Sequence, residues 1–174
     1  MARSPGAFVA LAVGSVACAQ GPAVLRPSSS TAEFRHVLVA ALMVDIDHRK
    51  ITERAFVSAL RDKGVDAIPS TAIWAPYRQY TPEEKERAVR ASGSDAVLTI
   101  TVGDERETTR YKFTETVMRV DLCLSAAEGN EVTWVGSTRA GGRSFGSLMV
   151  VAAGDIVARM RDEGIIVKAK AAAP

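Results

Sequence analysis

The chain has little cysteine, little histidine and few aromatic residues, and no charge of one sign dominates it. Its two cysteines, Cys18 and Cys123, can form one disulfide at most, which excludes a fold held together by several disulfides. The formal net charge is +2 and no basic run occurs, so nothing indicates a nucleic-acid partner. No apolar run reaches the roughly 20 residues of a membrane-spanning helix. The composition therefore predicts a single domain stabilised by its hydrophobic core.

The first residues instead have the layout of a bacterial secretory signal peptide. Arg3 precedes a short apolar run from Ala7 to Val13, and small residues follow that run as far as Ala19. We therefore predict that residues 1–19 are a signal peptide and that the protein is exported to the bacterial cell envelope.

Two cleavage patterns compete at the end of this signal. The letters A-C-A at positions 17–19 fit a small-residue cleavage site that would release a soluble periplasmic protein beginning at Gln20. The letters S-V-A-C at positions 15–18 resemble the lipobox of bacterial lipoproteins, although Ser15 stands where leucine is usual. Both alternatives remain open. The second predicts lipidation of Cys18 and a lipid anchor in the outer membrane.

The rest of the chain divides by composition into three parts. Residues 20–34 contain Pro22 and Pro27 and then a run of serine and threonine, which predicts a flexible tether. Residues 35–167 carry the periodic apolar patterns of an α/β domain. Residues 168–174 are rich in alanine and are predicted to be a disordered tail.

The first part of the predicted domain begins with a strand, a helix and a second strand. The apolar run Val37 to Val44 predicts a strand covered on both faces. The next residues have the 3.6-residue spacing of an amphipathic helix, with Asp47 as the predicted N-cap and with Phe56 and Leu60 on the buried face. A short second strand is predicted from Val65 to Ile68.

A second helix and a third strand follow. Thr81, Pro82 and Glu84 form the pattern of a capping box with proline at the first helical position. The apolar residues from Ala96 to Val102 predict the third strand. Two right-handed parallel crossovers are the expected arrangement of these elements.

The pattern then changes to that of an antiparallel hairpin. Residues 118–125 alternate apolar and polar with a period of two, residues 128–130 predict a turn, and the returning strand begins at Val132. The polar residues 104–110 are predicted to form a solvent loop before this hairpin. A last helix is predicted over 145–160, which gives the order β-α-β-α-β-β-β-α.

This order resembles the small α/β domain shared by the amino-terminal part of TolB, by CsgG-type lipoproteins and by the lipoprotein activators of penicillin-binding proteins. The resemblance extends from about Arg35 to Val167, and the residues that carry it are the strand Val37 to Val44, Glu53, Phe56 to Leu60 running into Gly64, Ser94 to Leu98, and Trp134. It implies a mixed five-stranded sheet of order 2-1-3-4-5 with strand four antiparallel. It also implies an envelope role through protein contacts, and it implies no catalytic residues.

Two further patterns contain residue types that catalysis or metal binding uses. Residues 142–146 match G-x-S-x-G, the nucleophile elbow of α/β-hydrolases, but no histidine follows Ser144, and this serine is better interpreted as a helix N-cap. Asp45, Asp47 and His48 carry metal-ligand chemistry, but three weak ligands in one loop are too few for a site. We therefore predict a non-enzymatic protein with no metal and no cofactor.

Residues 70–80 are the predicted binding site. They contain Trp74, Tyr77 and Tyr80 beside Arg78, and these residue types are enriched at binding hot spots. The segment predicts a protein that binds another envelope protein. An alternative function is a periplasmic small-molecule or carbohydrate-binding protein that uses the same rings in a concave pocket. A structural alternative is that the rings only cover the thin apolar face of the second helix.

Overall fold

The computed structural model describes residues 34–110, 113–129 and 131–166. The predicted signal peptide, the predicted lipidation site Cys18 and the predicted tail lie outside the described residues. The described elements are β1 (His36–Ala41), α1 (Ile46–Asp62), β2 (Asp66–Pro69), α2 (Pro82–Ala91), β3 (Ala96–Arg110), β4 (Phe113–Ala126), β5 (Val132–Gly142) and α3 (Phe145–Asp162). A short 3-10 turn, Ser70–Ala72, follows β2. The order of strands and helices is the predicted one.

The strands form one mixed sheet in the order β2-β1-β3-β4-β5. β1 is parallel to β2 and β3, whereas β4 is antiparallel to both of its neighbours. This confirms the predicted α/β fold class, the strand order 2-1-3-4-5 and the antiparallel fourth strand. Right-handed crossovers from β1 to β2 and from β2 to β3 run in opposite directions, and this places α1 and α2 on opposite faces of the sheet.

The main hydrophobic core lies on the face that carries α1 and α3, which pack against each other. Phe56 and Leu60 of α1 are fully buried there, as predicted, and Ile156 and Met160 of α3 join the same cluster. No helix within the described ranges is both long and apolar enough to cross a membrane.

The opposite face is thinner. Because side chains alternate along a strand, Leu38 and Ala40 of β1 point away from the main core, and both are buried. α2 contributes a single buried residue, Val89, on this side. A helix with so little buried area leaves room beside β1 for the segment that precedes it.

Two predicted details at the start of the domain are wrong. β1 ends at Ala41 rather than Val44: after the Leu42 N–H donates to Ile100 at 2.8 Å, the chain leaves the sheet, and Leu42 is 52% exposed. The N-cap of α1 is Asp45, whose Oδ1 accepts from the His48 N–H at 2.7 Å. Asp47 lies instead in the first turn of the helix.

The predicted solvent loop at 104–110 is also wrong. These residues continue β3 to Arg110 and pair with β4, with a register shift between Gly103 and Glu105. Their polar composition is that of a loop, which is why the prediction failed. β1 pairs with β3 only as far as Ile100, and the rest of β3 continues as a strand because it pairs with β4.

Of the predicted tether, residues 20–34, the structure describes only Phe34. Phe34, assigned to the tether, is buried and forms a parallel bridge with Ile166 near the other end of the domain. The remaining domain boundaries stay predictions.

Candidate binding site

Residues Ser70–Tyr80, here called the aromatic segment, connect β2 to the N-cap of α2. The segment begins with the 3-10 turn, and its rings occupy different environments. Tyr77 is 83% exposed, whereas Trp74 and Tyr80 are half-buried. The sequence predicted these residues together with Arg78 as one binding site, and the structure gives them different neighbours.

Trp74 and Tyr80 line an open cavity of about 400 Å³ at the carboxyl end of β1, here called the β1 cavity. The lining residues are Ala40, Leu42, Arg49, Trp74, Ala75, Pro76, Arg78, Gln79, Tyr80 and Lys85. Tyr77 is absent from this lining although both of its chain neighbours contribute to it. The cavity has the volume of small-molecule sites, while the exposed ring of Tyr77 lies outside its lining.

Contacts between its own side chains tie the aromatic segment to the start of α2. The Tyr80 hydroxyl accepts from the Ala75 N–H at 2.9 Å. The Arg78 guanidinium lies 4.8 Å from the centre of the Tyr80 ring and donates to Glu84 Oε1 at 2.6 Å. These contacts reduce the freedom of the segment.

The start of α2 is the predicted capping box. Thr81 Oγ1 accepts from the Glu84 N–H at 3.2 Å, and Glu84 Oε2 accepts from the Thr81 N–H at 3.0 Å. Pro82 is the first helical residue. Hydrogen bonds from its own backbone N–H and from Thr81 lower the pKa of Glu83 below its ordinary value. The pKa of Glu83 is thus lower in the folded protein than in the unfolded chain. The carboxylate therefore stabilises the fold at neutral pH, and this stabilisation is lost as the pH falls through the folded-state pKa.

A buried carboxylate fixes the other end of the aromatic segment. Glu53 of α1 is fully buried and accepts five hydrogen bonds. The donors to Oε1 are the Ala41 N–H at 3.2 Å, Arg49 Nε at 3.2 Å and Ser70 Oγ at 2.6 Å. The donors to Oε2 are the N–H of Thr71 at 3.0 Å and its hydroxyl at 2.8 Å. One side chain therefore joins the end of β1, the helix α1 and the first turn of the segment.

Arg49 connects this network to the β1 cavity. Its Nη2 donates to Ser70 Oγ at 3.0 Å while its Nε donates to Glu53, so the guanidinium is held from two sides. In the sequence, Glu53 stands out only as one of the residues that carry the family resemblance. Its spacing of three residues from Phe56 indicates a glutamate on the buried face of α1, but it does not indicate which groups that carboxylate binds.

The two tryptophans differ in how their indole nitrogens are satisfied. Trp134 is 3% exposed, and its Nε1 donates to Glu163 Oε2 at 2.7 Å. The Nε1 of Trp74 is buried, and no residue of the described part of the chain accepts its hydrogen bond. A buried N–H donor left unpaired costs about 1–3 kcal/mol, so the indole of Trp74 is less well satisfied than that of Trp134.

The other sequence candidates are structural in their contacts. Ser144 Oγ caps α3 by accepting from the Ser147 N–H at 3.3 Å, as predicted. The His48 ring stacks on Phe145 at 4.0 Å, and within the described ranges no hydrogen bond joins it to Ser144. Nor does any group of three metal-ligating side chains occur among those residues. The absence of catalysis, metal and cofactor stays a prediction, as does partner binding by Trp74, Tyr77, Arg78 and Tyr80.

Known proteins match this chain in structure only. No family model matches it, and no curated protein does. The PelC dodecamer from Paraburkholderia phytofirmans is 20% identical, covering 72% of this chain and 88% of its own with a TM-score of 0.52. A single-substitution variant of that dodecamer is 19% identical, with coverage of 79% and 92% and a TM-score of 0.52. Lipoprotein GNA1162 from Neisseria meningitidis is 16% identical, with coverage of 73% and 98% and a TM-score of 0.49. At these identities the likeness concerns the fold alone, and the chain is similar in fold to the PelC subunit.

Proposed function

We propose that this chain is an exported lipoprotein of the bacterial cell envelope that acts without catalysis, by binding another envelope protein through the aromatic segment. The observation that carries the proposal is the exposure of large apolar groups around the β1 cavity. Tyr77 is 83% exposed between two cavity-lining residues, and Leu42, which lines the cavity, is 52% exposed. Val44, two residues further on, is fully exposed. Leu42 and the two chain neighbours of Tyr77 line the same cavity, and exposed aromatic and apolar side chains near one another are typical of protein-binding surfaces.

The contacts of the aromatic segment support the same proposal. Glu53 holds its first turn, and the Arg78–Glu84 ion pair holds its end against α2. A segment fixed at both ends loses little conformational entropy when a partner binds. Tyr77 is therefore presented on a pre-ordered loop.

Replacing Trp74 and Tyr77 by alanine together should weaken partner binding by about 2 kcal/mol or more, the scale of interface hot spots. A photo-crosslinking residue at position 77 should capture the partner from intact envelopes. The same residue at position 150, where Val150 is 64% exposed on α3, is the matched control. Equal capture from both positions would contradict the proposal. Unfolding of the double variant would assign the rings to the core instead. Capture of the chain itself would indicate self-assembly, as in the PelC dodecamer.

Cys18→Ala should move the protein from the membrane fraction to the soluble periplasmic fraction, because the lipid would have no attachment site. Cys123→Ala is the matched control, since Cys123 is buried in the sheet and should leave the membrane fraction unchanged. Fractionation and intact mass measure both outcomes. A wild-type protein whose mass begins at Gln20 would refute lipidation, while leaving export itself intact.

A second candidate function is the binding of a small molecule or a carbohydrate. The lining of the β1 cavity by Trp74 and Tyr80 favours it, because small-molecule sites are concave and usually contain aromatic side chains. The cavity and the exposed Tyr77 are adjacent, so one protein surface can serve either function.

A further inference from the structure

The charged residues that line the β1 cavity all have the same sign. They are Arg49, Arg78 and Lys85, which come from α1, the aromatic segment and α2 respectively. No carboxylate lines the cavity. Three separate elements thus bring cationic groups to one concave surface.

The nearby carboxylates do not neutralise this surface. Glu53 lies behind Arg49 and pairs with its Nε, and Glu84 pairs with Arg78. Each of these bonds uses only part of a guanidinium, which carries five N–H donors. Lys85 forms no ion pair with any residue that the structure describes. The three cations of the lining are therefore balanced by only two carboxylates, and the cavity keeps a positive charge.

The position of the cavity is also that of a ligand site. Ala40 and Leu42 place it at the carboxyl end of β1. β1 lies between β2 and β3, and the crossovers from β1 to β2 and from β2 to β3 pass over opposite faces of the sheet. In open α/β sheets, ligands bind outside the carboxyl ends of the strands. The β1 cavity lies at this edge, where it is lined by β1 and by the segment that follows β2, with no residue from β3.

We propose that the β1 cavity binds a small organic anion, whose carboxylate or phosphate group contacts Arg49, Arg78 and Lys85 and whose body lies against Trp74. The proposal rests on the second candidate function and assigns a chemical class to its ligand. Charge-assisted hydrogen bonds from arginine and lysine are the strongest that such an anion can receive. The fixed position of Arg49, bonded to Glu53 and Ser70, provides a site that is ordered before the ligand arrives.

Calorimetric titration of the full chain with glucuronate, glucose and inorganic phosphate tests the proposal. Glucuronate and glucose share a sugar ring and differ in charge. Inorganic phosphate tests whether an anionic group without a sugar ring is enough for binding. Glucuronate should bind about tenfold or more tightly than glucose, and its affinity should fall as salt is added. Binding should also change the fluorescence of Trp74, and Trp74→Phe should abolish that signal because Trp134 is buried and bonded to Glu163.

Lys85→Gln should weaken glucuronate binding about tenfold and leave glucose binding unchanged. Arg87→Gln is the matched control, because it removes an exposed cation from the same helix outside the cavity lining. Equal losses in the two variants would show an unspecific charge effect and overturn the proposal. Equal binding of glucose and glucuronate would overturn it while leaving a small-molecule site. Absence of binding by all three probes would reject both this proposal and the second candidate function. It would not affect the proposal of protein binding, which crosslinking at position 77 tests separately.

Discussion

Glu53→Ala is expected to lower the free energy of unfolding by about 3–5 kcal/mol, the scale of breaking a buried ion pair. The substitution removes the acceptor of five hydrogen bonds and leaves the donors of Ser70 and Thr71 unpaired. It also leaves Arg49 without its carboxylate. Urea denaturation followed by circular dichroism measures the change.

Two control variants separate the carboxylate network from a general loss of charge. Glu131→Ala removes an exposed acid immediately before β5 and should change stability by at most about 0.5 kcal/mol. Glu53→Gln keeps the shape of the side chain but turns one acceptor into a donor, so its effect should approach that of Glu53→Ala. A loss within about 1 kcal/mol for Glu53→Ala would show that the network does not hold the aromatic segment. Altered Trp74 fluorescence in the folded variant would show directly that the segment has loosened.

Phe56→Ala should cost about 3–5 kcal/mol of stability, because the truncation leaves a cavity in the core that surrounding side chains fill only partly. Phe56 is fully buried between α1 and the sheet, where the first helix meets α3. Denaturant titration measures the loss, which is a large part of the stability of a domain this size.

Phe145→Ala provides the comparison for Phe56→Ala. Phe145 is half-buried at the first position of α3 and stacks on the exposed ring of His48, so its truncation should cost clearly less. Similar losses at the two positions would contradict the placement of Phe56 at the centre of the core.

The parts of the fold that the sequence predicted well depend on short-range patterns. The capping box at Thr81 involves residues three apart, and the period of two in β4 is visible within eight residues. The order of the strands followed from the family resemblance together with the handedness of crossovers. The strand at residues 104–110 could not be predicted, because backbone pairing with β4 makes a strand of a segment whose composition is that of a loop.

The candidate site was predicted in composition but not in geometry. The aromatic segment could be found from its residue types, whereas the cavity could not, because Arg49 and Lys85 come from other elements. Glu53 and Ser70 are 17 residues apart, and nothing local indicates that they meet. Long-range hydrogen bonds of this kind depend on how α1 packs, which no short pattern contains.

The hairpin of β3 and β4 has a consequence for how this domain can evolve. β1 pairs with β3 only as far as Ile100, and β5 pairs with β4 only from Thr116, whereas β3 continues to Arg110. At about 3.3 Å per residue, the strand reaches roughly 30 Å beyond its last contact with β1. β4 remains paired with β5 as far as Thr116, which is opposite Glu107 of β3, so only the part of the hairpin beyond these two residues consists of β3 and β4 alone. A ribbon of two strands adds little to the stability of a domain. Its length and sequence can therefore drift under selection for reach or for new contacts, while the five-stranded body that carries the cavity stays the same.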